Sequence, residues 1–375
     1  MSEGRFVTLA SDQFSAENSS LFPRLLAFRV IVLLCVGRLL VSSQHQHAPE
    51  GPPYLPHGAI LGQIPSPIPD IPISSVLIAF FVLSATLTVT IFQLNLRRGH
   101  KFVLSALLFG LSMARIMANV LRIAWAVHND NTRLVIAASI FANAGMLLLF
   151  VVNLILLQRV VSAYHPQLGW SKAFGWVFRL LYSGIASSLV MVVVSVVYSY
   201  YTLDPHIQSQ LRCIRLVTAV YLAVLAFLPI PGVIVTLLLS RSSLIDYFGQ
   251  GTMRTKVVLL LFTSVLLSLG ACFRAGGAFI QRPTEDPGWF NSKAAYYCFN
   301  YVIELVVVFT YALSRFDRRF HIPNGSKGPG DYSNGGPGGM LGQQSTDEET
   351  HSKGDDDEPS TEQQTPIKNI TNENA

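Results

Sequence analysis

Two arginines and an asparagine lie close together inside a long apolar stretch of this chain. Residues 113–123 read MARIMANVLRI, and the apolar run around them extends from Phe102 to Val127. In an α-helix, Arg115, Asn119 and Arg122 would share an arc of about 60°. Guanidinium groups bind carboxylates and phosphates through pairs of hydrogen bonds. The spacing therefore predicts a polar helix face that is suited to bind anions.

The composition indicates which solvent surrounds this chain. Half of the 375 residues are hydrophobic and 13% are charged, against about 25% charged residues in an average soluble domain. The net charge is +5, but acidic residues dominate after residue 320. The basic balance is therefore no indication of nucleic-acid binding. The composition is that of a membrane protein whose main partner is the lipid bilayer.

Seven apolar stretches are long enough to cross the membrane. A helix needs about 20 residues to cross about 30 Å of hydrocarbon. The alternating pattern of transmembrane barrel strands is absent from the sequence. We therefore predict an all-α bundle of seven transmembrane helices. The predicted spans are 73–96, 102–127, 132–158, 177–201, 216–239, 256–281 and 294–314.

A weaker apolar segment, residues 25–41, contains Arg29 and Arg38. It is compatible with an eighth span, with a helix on the membrane surface or with a signal segment. The two arginines would lie on opposite sides of a helix, which disfavours a single polar face. This placement slightly favours the additional span.

The distribution of Lys and Arg predicts the orientation. The loops at 97–101, 159–176 and 240–255 and the start of the tail at 315–327 hold eleven Lys and Arg residues, whereas the loops on the opposite side hold four, Arg212, Arg215, Arg282 and Lys293. Because basic loops stay in the cytoplasm, the C-terminus should be cytoplasmic and the Pro-rich segment 49–72 outside. Asn18 would be a glycosylation site only if the extreme N-terminus is also outside.

The predicted organisation has three parts. An N-terminal region, 1–72, precedes a transmembrane domain, 73–314, and an acidic cytoplasmic tail, 315–375, that we expect to be disordered. We expect an integral protein of the plasma membrane rather than of an internal membrane.

Few ionisable residues lie inside the predicted spans. Lys256 lies at a span edge, and no other Lys and no His is found within a span. This pattern disfavours a retinal Schiff base and a histidine-bound catalytic zinc. We therefore expect no enzymatic activity, no cofactor and no metal. The ionisable residues deepest in the spans are Arg115, Arg122, Arg274 and Glu304.

Depth in the membrane predicts which of these charges meet. At about 1.5 Å per residue, Arg115 and Glu304 lie nearly level, about 18 Å and about 15 Å from the outer surface. A mid-membrane arginine costs about 2.5–3.5 kcal/mol on insertion scales. We therefore predict that Arg115 and Glu304 form a buried ion pair.

Two shallower arginines are then left without an acid. Arg274 and Arg122 lie about 10 Å and about 8 Å below the outer surface by the same count. With Asn119 and Asn300 they form a candidate polar site for an anionic lipid or a small anionic ligand. Alternatively, both arginines extend to the membrane surface or bind carbonyl and amide groups, or the polar faces only join the helices.

One stretch resembles a known family. Residues 122–170 read RIAWAVHNDNTRLVIAASIFANAGMLLLFVVNLILLQRVVSAYHPQLGW. They resemble a hallmark of an uncharacterised fungal family of multi-pass membrane proteins, sometimes labelled class C-like G-protein-coupled receptor proteins. The resemblance covers about residues 73–323 and implies seven spans. More distantly, CFRAGGAF around Arg274 is similar to the fungal RTA-like lipid-translocating exporters, which have an acid where this chain has Gly277.

These features favour two classes of function. We expect a receptor-like or sensor protein, because of the seven spans and a phosphorylatable tail that could reach a cytoplasmic signalling partner. The alternative is a transporter or translocator of a lipid or small organic anion. Arg122 and Arg274 favour that alternative, as do Pro229, Pro231 and Gly232, which should break the fifth span near mid-membrane.

Overall fold

The computed structural model describes residues 52–54, 60–97, 102–129, 131–239, 246–280, 282–283, 285–323, 326 and 328–333. The apolar segment 25–41, for which three interpretations are open, the candidate glycosylation site Asn18 and the tail after residue 333 lie outside the described residues.

Seven long helices account for most of the described chain, and that part contains no β-strand. Each helix is long and apolar enough to span a membrane, so the predicted all-α seven-helix bundle is confirmed. The helices are α1 (Pro67–Arg97), α2 (Val103–Val127), α3 (Thr132–Tyr164), α4 (Lys172–Ser199), α5 (Pro205–Leu238), α6 (Met253–Phe279) and α7 (Lys293–Leu313), followed by the short α8 (Phe316–Arg319). Single turns, Pro166–Gly169 and Trp289–Asn291, lie before α4 and α7.

Helix α1 begins earlier than the predicted residue 73. Ile68 has non-helical dihedral angles, φ −121° and ψ 123°, so the regular helix begins after it. Pro69 and Pro72 fall among the first four residues of that helix, whose backbone N–H groups need no partner within it. Asp70 is also in the first turn, where a negative charge interacts favourably with the helix dipole. The end of the Pro-rich segment therefore starts a helix, and it carries Asp70 into the bundle with no exposed surface.

Helices α5 and α7 each contain an irregularity. In α5, Leu228 separates Pro205–Phe227 from Pro229–Leu238. Leu228 itself has helical dihedral angles, φ −51° and ψ −38°, and accepts a hydrogen bond from Gly232 at 3.1 Å. The predicted break is thus limited to one residue, and α5 continues across it. In α7, a π-helical segment, Cys298–Val302, separates two α-helical parts.

Helix α3 lies at the centre of the bundle and packs against α2, α4, α5 and α6. Its apolar side chains fill the core, and Val152, Leu154 and Leu156 have no exposed surface. Apolar side chains such as Val194 and Leu269 are exposed on the outside of the bundle, as contact with lipid requires. We call the end that holds Pro67 and Val127 the outer end, after the predicted orientation, and the opposite end the inner end.

The first part of the segment predicted to be disordered, from residue 315 on, is packed against the bundle, so the prediction was wrong for these residues. Helix α8 follows α7 directly, and Phe316 and Phe320 are fully buried. Tyr332 packs edge-on against Trp170 and Phe248. Residues 315–323 and 328–333 therefore cover the inner end of the bundle, because their aromatic side chains find apolar surface there.

A polar network joins three helices deep in the bundle. The Tyr311 hydroxyl of α7 donates to Oδ1 of Asn153 in α3 at 2.5 Å and lies 2.8 Å from the Thr263 hydroxyl of α6. Nδ2 of Asn153 donates to the Ser264 hydroxyl at 3.0 Å. Because all four side chains are buried, water cannot replace a lost partner.

We expect Tyr311→Phe to lower the free energy of unfolding by about 1–2 kcal/mol, because it leaves a buried acceptor of Asn153 unpaired. Unfolding in detergent micelles, followed by circular dichroism, measures the loss. Tyr182→Phe is the control, since that hydroxyl is only partly buried and makes one 3.3 Å hydrogen bond to Gln158. Equal losses for the two variants would contradict the assignment.

Candidate functional site

Arg115 and Glu304 join α2 to α7. Nε and Nη2 of Arg115 each donate to one carboxylate oxygen of Glu304 at 2.5 Å. Nη1 of Arg115 donates to the backbone oxygen of Ala142 at 2.7 Å. The side chains are 0% and 1% exposed. The structure therefore brings together the two residues that the depth count places at one level.

Arg122 has an acidic partner, so the prediction that it has none was wrong. Its Nε and Nη2 donate to Oδ1 of Asp70 at 3.0 and 2.9 Å. Nη2 also donates to the backbone oxygen of Gly62 at 2.7 Å, and Nε lies 3.0 Å from the Tyr297 hydroxyl. The prediction failed because α1 begins before residue 73. The bundle therefore contains Asp70 as a second buried acid, in addition to Glu304.

Asp70 binds a second cation. Nζ of Lys293 lies 2.5 Å from Oδ2 of Asp70, and the Tyr297 hydroxyl donates to Oδ1 at 2.7 Å. Lys293 is the first residue of α7, where the helix dipole disfavours a positive charge, and the carboxylate compensates for this. We call Asp70, Arg122 and Lys293 the Asp70 cluster. It contains two cations and one carboxylate, a net charge of +1.

Arg274 shares its acid with Arg115, which also corrects the prediction. Nη1 of Arg274 donates to Oδ1 of Asn300 at 3.1 Å and lies 3.6 Å from Oε1 of Glu304. Its Nε is buried and has no hydrogen-bond partner among the described residues. We call Arg115, Arg274 and Glu304 the Glu304 cluster. Its net charge is also +1, because one carboxylate serves two guanidiniums.

The two predicted asparagines have different positions. Asn300 lies beside Arg274, and its Nδ2 donates to the backbone oxygen of Tyr296 at 2.9 Å. Asn119 donates from Nδ2 to the backbone oxygen of Arg115 at 2.8 Å, and its Oδ1 is buried without a partner in the described part of the chain. Of the predicted polar site, Arg122, Arg274 and Asn300 line one cavity, and Asn119 is not part of its lining.

This cavity lies at the outer end of the bundle and has a volume of about 170 Å³. Arg122 enters it from the Asp70 cluster and Arg274 from the Glu304 cluster. Ile60 and Leu61, from the segment before α1, cover one side. The lining residues are Ile60, Leu61, Ala118, Arg122, Trp125, Ala138, Ser139, Ala142, Asn143, Arg274, Tyr296 and Asn300.

The electrostatics of the cavity favour an anion. Both neighbouring clusters carry an excess positive charge, and burial in a low-dielectric environment makes an uncompensated charge costly. A carboxylate or phosphate in the cavity would supply the missing negative charge and hydrogen-bond acceptors for guanidinium N–H groups. The wall beside Arg274 contains the π-helical segment of α7, and such segments frequently occur at functional sites.

Sequence reasoning missed Asp70, Lys293 and the role of Tyr297. The signal for Asp70 is Pro-Asp-Ile-Pro at 69–72, since Pro and Asp are both favoured in the first turn of a helix. Lys293 lies one residue before the predicted seventh span and was counted as a loop residue. The contact between Asp70 and Lys293 depends on how the ends of α1 and α7 pack. Local sequence patterns do not predict this packing.

A family model described as a protein of unknown function, DUF3112, matches residues 248–321. This segment contains α6 and α7 and therefore Arg274, Lys293, Asn300 and Glu304. It does not include residues 122–170, so the resemblance to the fungal receptor-like family stays a prediction, as does the more distant resemblance to RTA-like exporters. No curated protein and no solved structure matches the chain.

We expect Glu304→Gln to lower the free energy of unfolding by about 3–5 kcal/mol, because it leaves two buried guanidiniums without their carboxylate. Adding Arg115→Gln should restore part of the loss, since one of the two uncompensated charges is then removed. Unfolding of the single and double variants in detergent micelles, arranged as a double-mutant cycle, measures the coupling.

Asp286→Asn is the matched control, because Asp286 pairs with Arg282 at the exposed surface. We expect no measurable change for it. Strictly additive losses for Glu304→Gln and Arg115→Gln would show that the two side chains do not stabilise each other.

Proposed function

We propose that this multi-pass membrane protein is a seven-helix receptor or sensor that binds a small organic anion in its outer cavity. One observation carries the proposal. Arg122 and Arg274 come from two separate clusters, each with a net charge of +1, and they line the same cavity. The plasma membrane is the location at which such a cavity would face external ligands.

The size and lining of the cavity suggest the class of ligand. A protein cavity of about 150 Å³ accommodates benzene, so the volume of about 170 Å³ suits an acid with one small ring or a short apolar body. Guanidinium groups would bind the acid group. The rings of Trp125 and Tyr296 and the side chains of Ile60 and Leu61 offer contacts to the apolar part.

Arg274 is the residue best prepared to bind the ligand. Among the described residues its side chain donates one hydrogen bond, to Asn300, and its Nη1 lies 3.6 Å from Oε1 of Glu304, which Arg115 also binds. Arg122, in contrast, donates to Asp70 and Gly62. A ligand would therefore gain more from Arg274, and a change at Arg274 disturbs fewer internal contacts.

The packing beneath the cavity favours a sensor over a transporter. The Arg115–Glu304 pair lies below it, and the bundle further inward is filled with fully buried side chains such as Leu108, Leu149 and Tyr311. Helix α5 continues across the point where a break was predicted. A sensor binds the ligand at the outer end and changes the surface that a partner contacts at the inner end. This requires a smaller rearrangement than moving the ligand through the packed core.

We expect purified protein to bind benzoate, and Arg274→Gln to weaken that binding about tenfold or more, the effect of losing one charge-assisted hydrogen bond. Isothermal titration calorimetry in detergent measures the affinity. Benzyl alcohol serves as the uncharged probe and should not bind. Arg212→Gln is the matched control, since Arg212 also lies near the outer end but is not part of the cavity lining.

Three further outcomes decide between the alternatives. Uptake of labelled benzoate into proteoliposomes would favour the transporter. Displacement of benzoate by phosphatidic acid in nanodiscs would identify a lipid headgroup as the ligand. The proposed site would be overturned if the protein bound neither benzoate nor phenyl phosphate. Equal affinity of wild type and Arg274→Gln for benzoate would also overturn it.

A further inference from the structure

The inner end of the bundle holds a segment in place through a single buried carboxylate. We call residues 328–333 the strap. Asp246 accepts hydrogen bonds from the backbone N–H groups of Gly330 at 3.0 Å, Tyr332 at 3.3 Å and Ser333 at 2.6 Å. The Ser333 hydroxyl also donates to Oδ1 of Asp246 at 2.6 Å. Asp246 is itself tied to the end of α3, since its N–H donates to the backbone oxygen of Ala163 at 3.0 Å.

The strap covers an apolar surface. The Tyr332 ring lies 5.6 Å, centroid to centroid, from the rings of both Trp170 and Phe248. Tyr332 and Phe248 are buried, and burial raises the pKa of the Tyr332 hydroxyl. Release of the strap would therefore expose aromatic side chains beside the ends of α3 and α6.

In the part of the chain that the structure describes, the Asp246 carboxylate accepts its hydrogen bonds from donors of the strap. Among the described residues, no Lys or Arg forms an ion pair with Asp246. Two nearby cations are bound elsewhere: Nη1 of Arg159 donates to the backbone oxygen of Phe320, and Nζ of Lys256 to that of Phe248. A second negative charge placed beside Asp246 would thus add to a carboxylate that no Lys or Arg of the described residues neutralises through an ion pair.

Ser333 is exposed, although its hydroxyl contacts the buried carboxylate. We propose that Ser333 is a phosphorylation site and that its phosphorylation releases the strap from Asp246. The inference is independent of the outer cavity. In the reaction, the hydroxyl oxygen forms a bond to the γ-phosphorus of a nucleoside triphosphate, the bond to the leaving nucleoside diphosphate breaks, and the hydroxyl proton passes to the kinase base.

The modified side chain cannot keep its place. The phosphate ester has lost the O–H donor and carries a charge of about −1.5 to −2, next to a carboxylate that forms no ion pair with a described residue. A kinase needs an accessible hydroxyl, so it would modify the strap when it opens transiently. The added charge would then shift the equilibrium toward the open form, because only the closed form suffers the repulsion.

The test uses the full-length protein with phosphoserine incorporated at position 333 during translation. Hydrogen exchange measured by mass spectrometry in detergent micelles should show exchange in the strap about tenfold faster or more. Ser333→Ala should change it much less, because the three backbone hydrogen bonds to Asp246 remain. Phosphoserine at position 326 is the matched control, since the Ser326 hydroxyl donates to the Pro323 oxygen and not to Asp246.

Unchanged exchange with phosphoserine at position 333, or equal acceleration by phosphoserine at position 326, would overturn the release. Phosphopeptide mapping of the protein from its own cells tests whether the site is used. Phosphate on a peptide ending beyond Ser333, absent in Ser333→Ala, would support it. Phosphate on other tail residues with Ser333 always unmodified would overturn it.

Discussion

The buried Glu304 carboxylate interacts with two guanidiniums, those of Arg115 and Arg274. The packing of the helices that carry these three residues depends on this interaction. Arg115 takes both of its oxygens, and Arg274 lies 3.6 Å from one of them. A buried ion pair is stabilising only when its hydrogen bonds are nearly complete. Helix α3 contributes to this by offering the Ala142 carbonyl to Arg115. The pair thereby fixes the relative depth of α2, α3 and α7.

The same chemistry recurs with different consequences at the two ends. At the outer end, Asp70 and Glu304 are each outnumbered by cations, so the cavity between their clusters is positive and suited to an anion. At the inner end, the Asp246 carboxylate accepts hydrogen bonds from N–H and O–H donors and forms no ion pair among the described residues. Dipoles there stabilise the negative charge, which is why we propose that an added phosphate would disturb this end.

Features that depend on residues close together in the chain could be predicted from the sequence, and contacts between distant segments could not. Seven spans follow from apolar length, and the level of Arg115 and Glu304 follows from counting residues along nearly straight helices. Asp70 was not predicted as a buried acid, because the predicted start of α1 lay after it. This boundary error of a few residues left Arg122 without its carboxylate in the predicted site. The contact of Tyr332 with Trp170 and Phe248 joins residues far apart in the chain, and neither periodicity nor composition reports such a meeting.

Arg122 connects the cavity to the chain that covers it. Its Nη2 donates both to Asp70 and to the backbone oxygen of Gly62. Gly62 has φ +82°, and a side chain there would collide with the Tyr296 ring, so glycine is required for this close approach. An anion that binds Arg122 competes with the Gly62 carbonyl for the same N–H groups. The Arg122 guanidinium would therefore couple binding of an anion in the cavity to the position of the segment before α1.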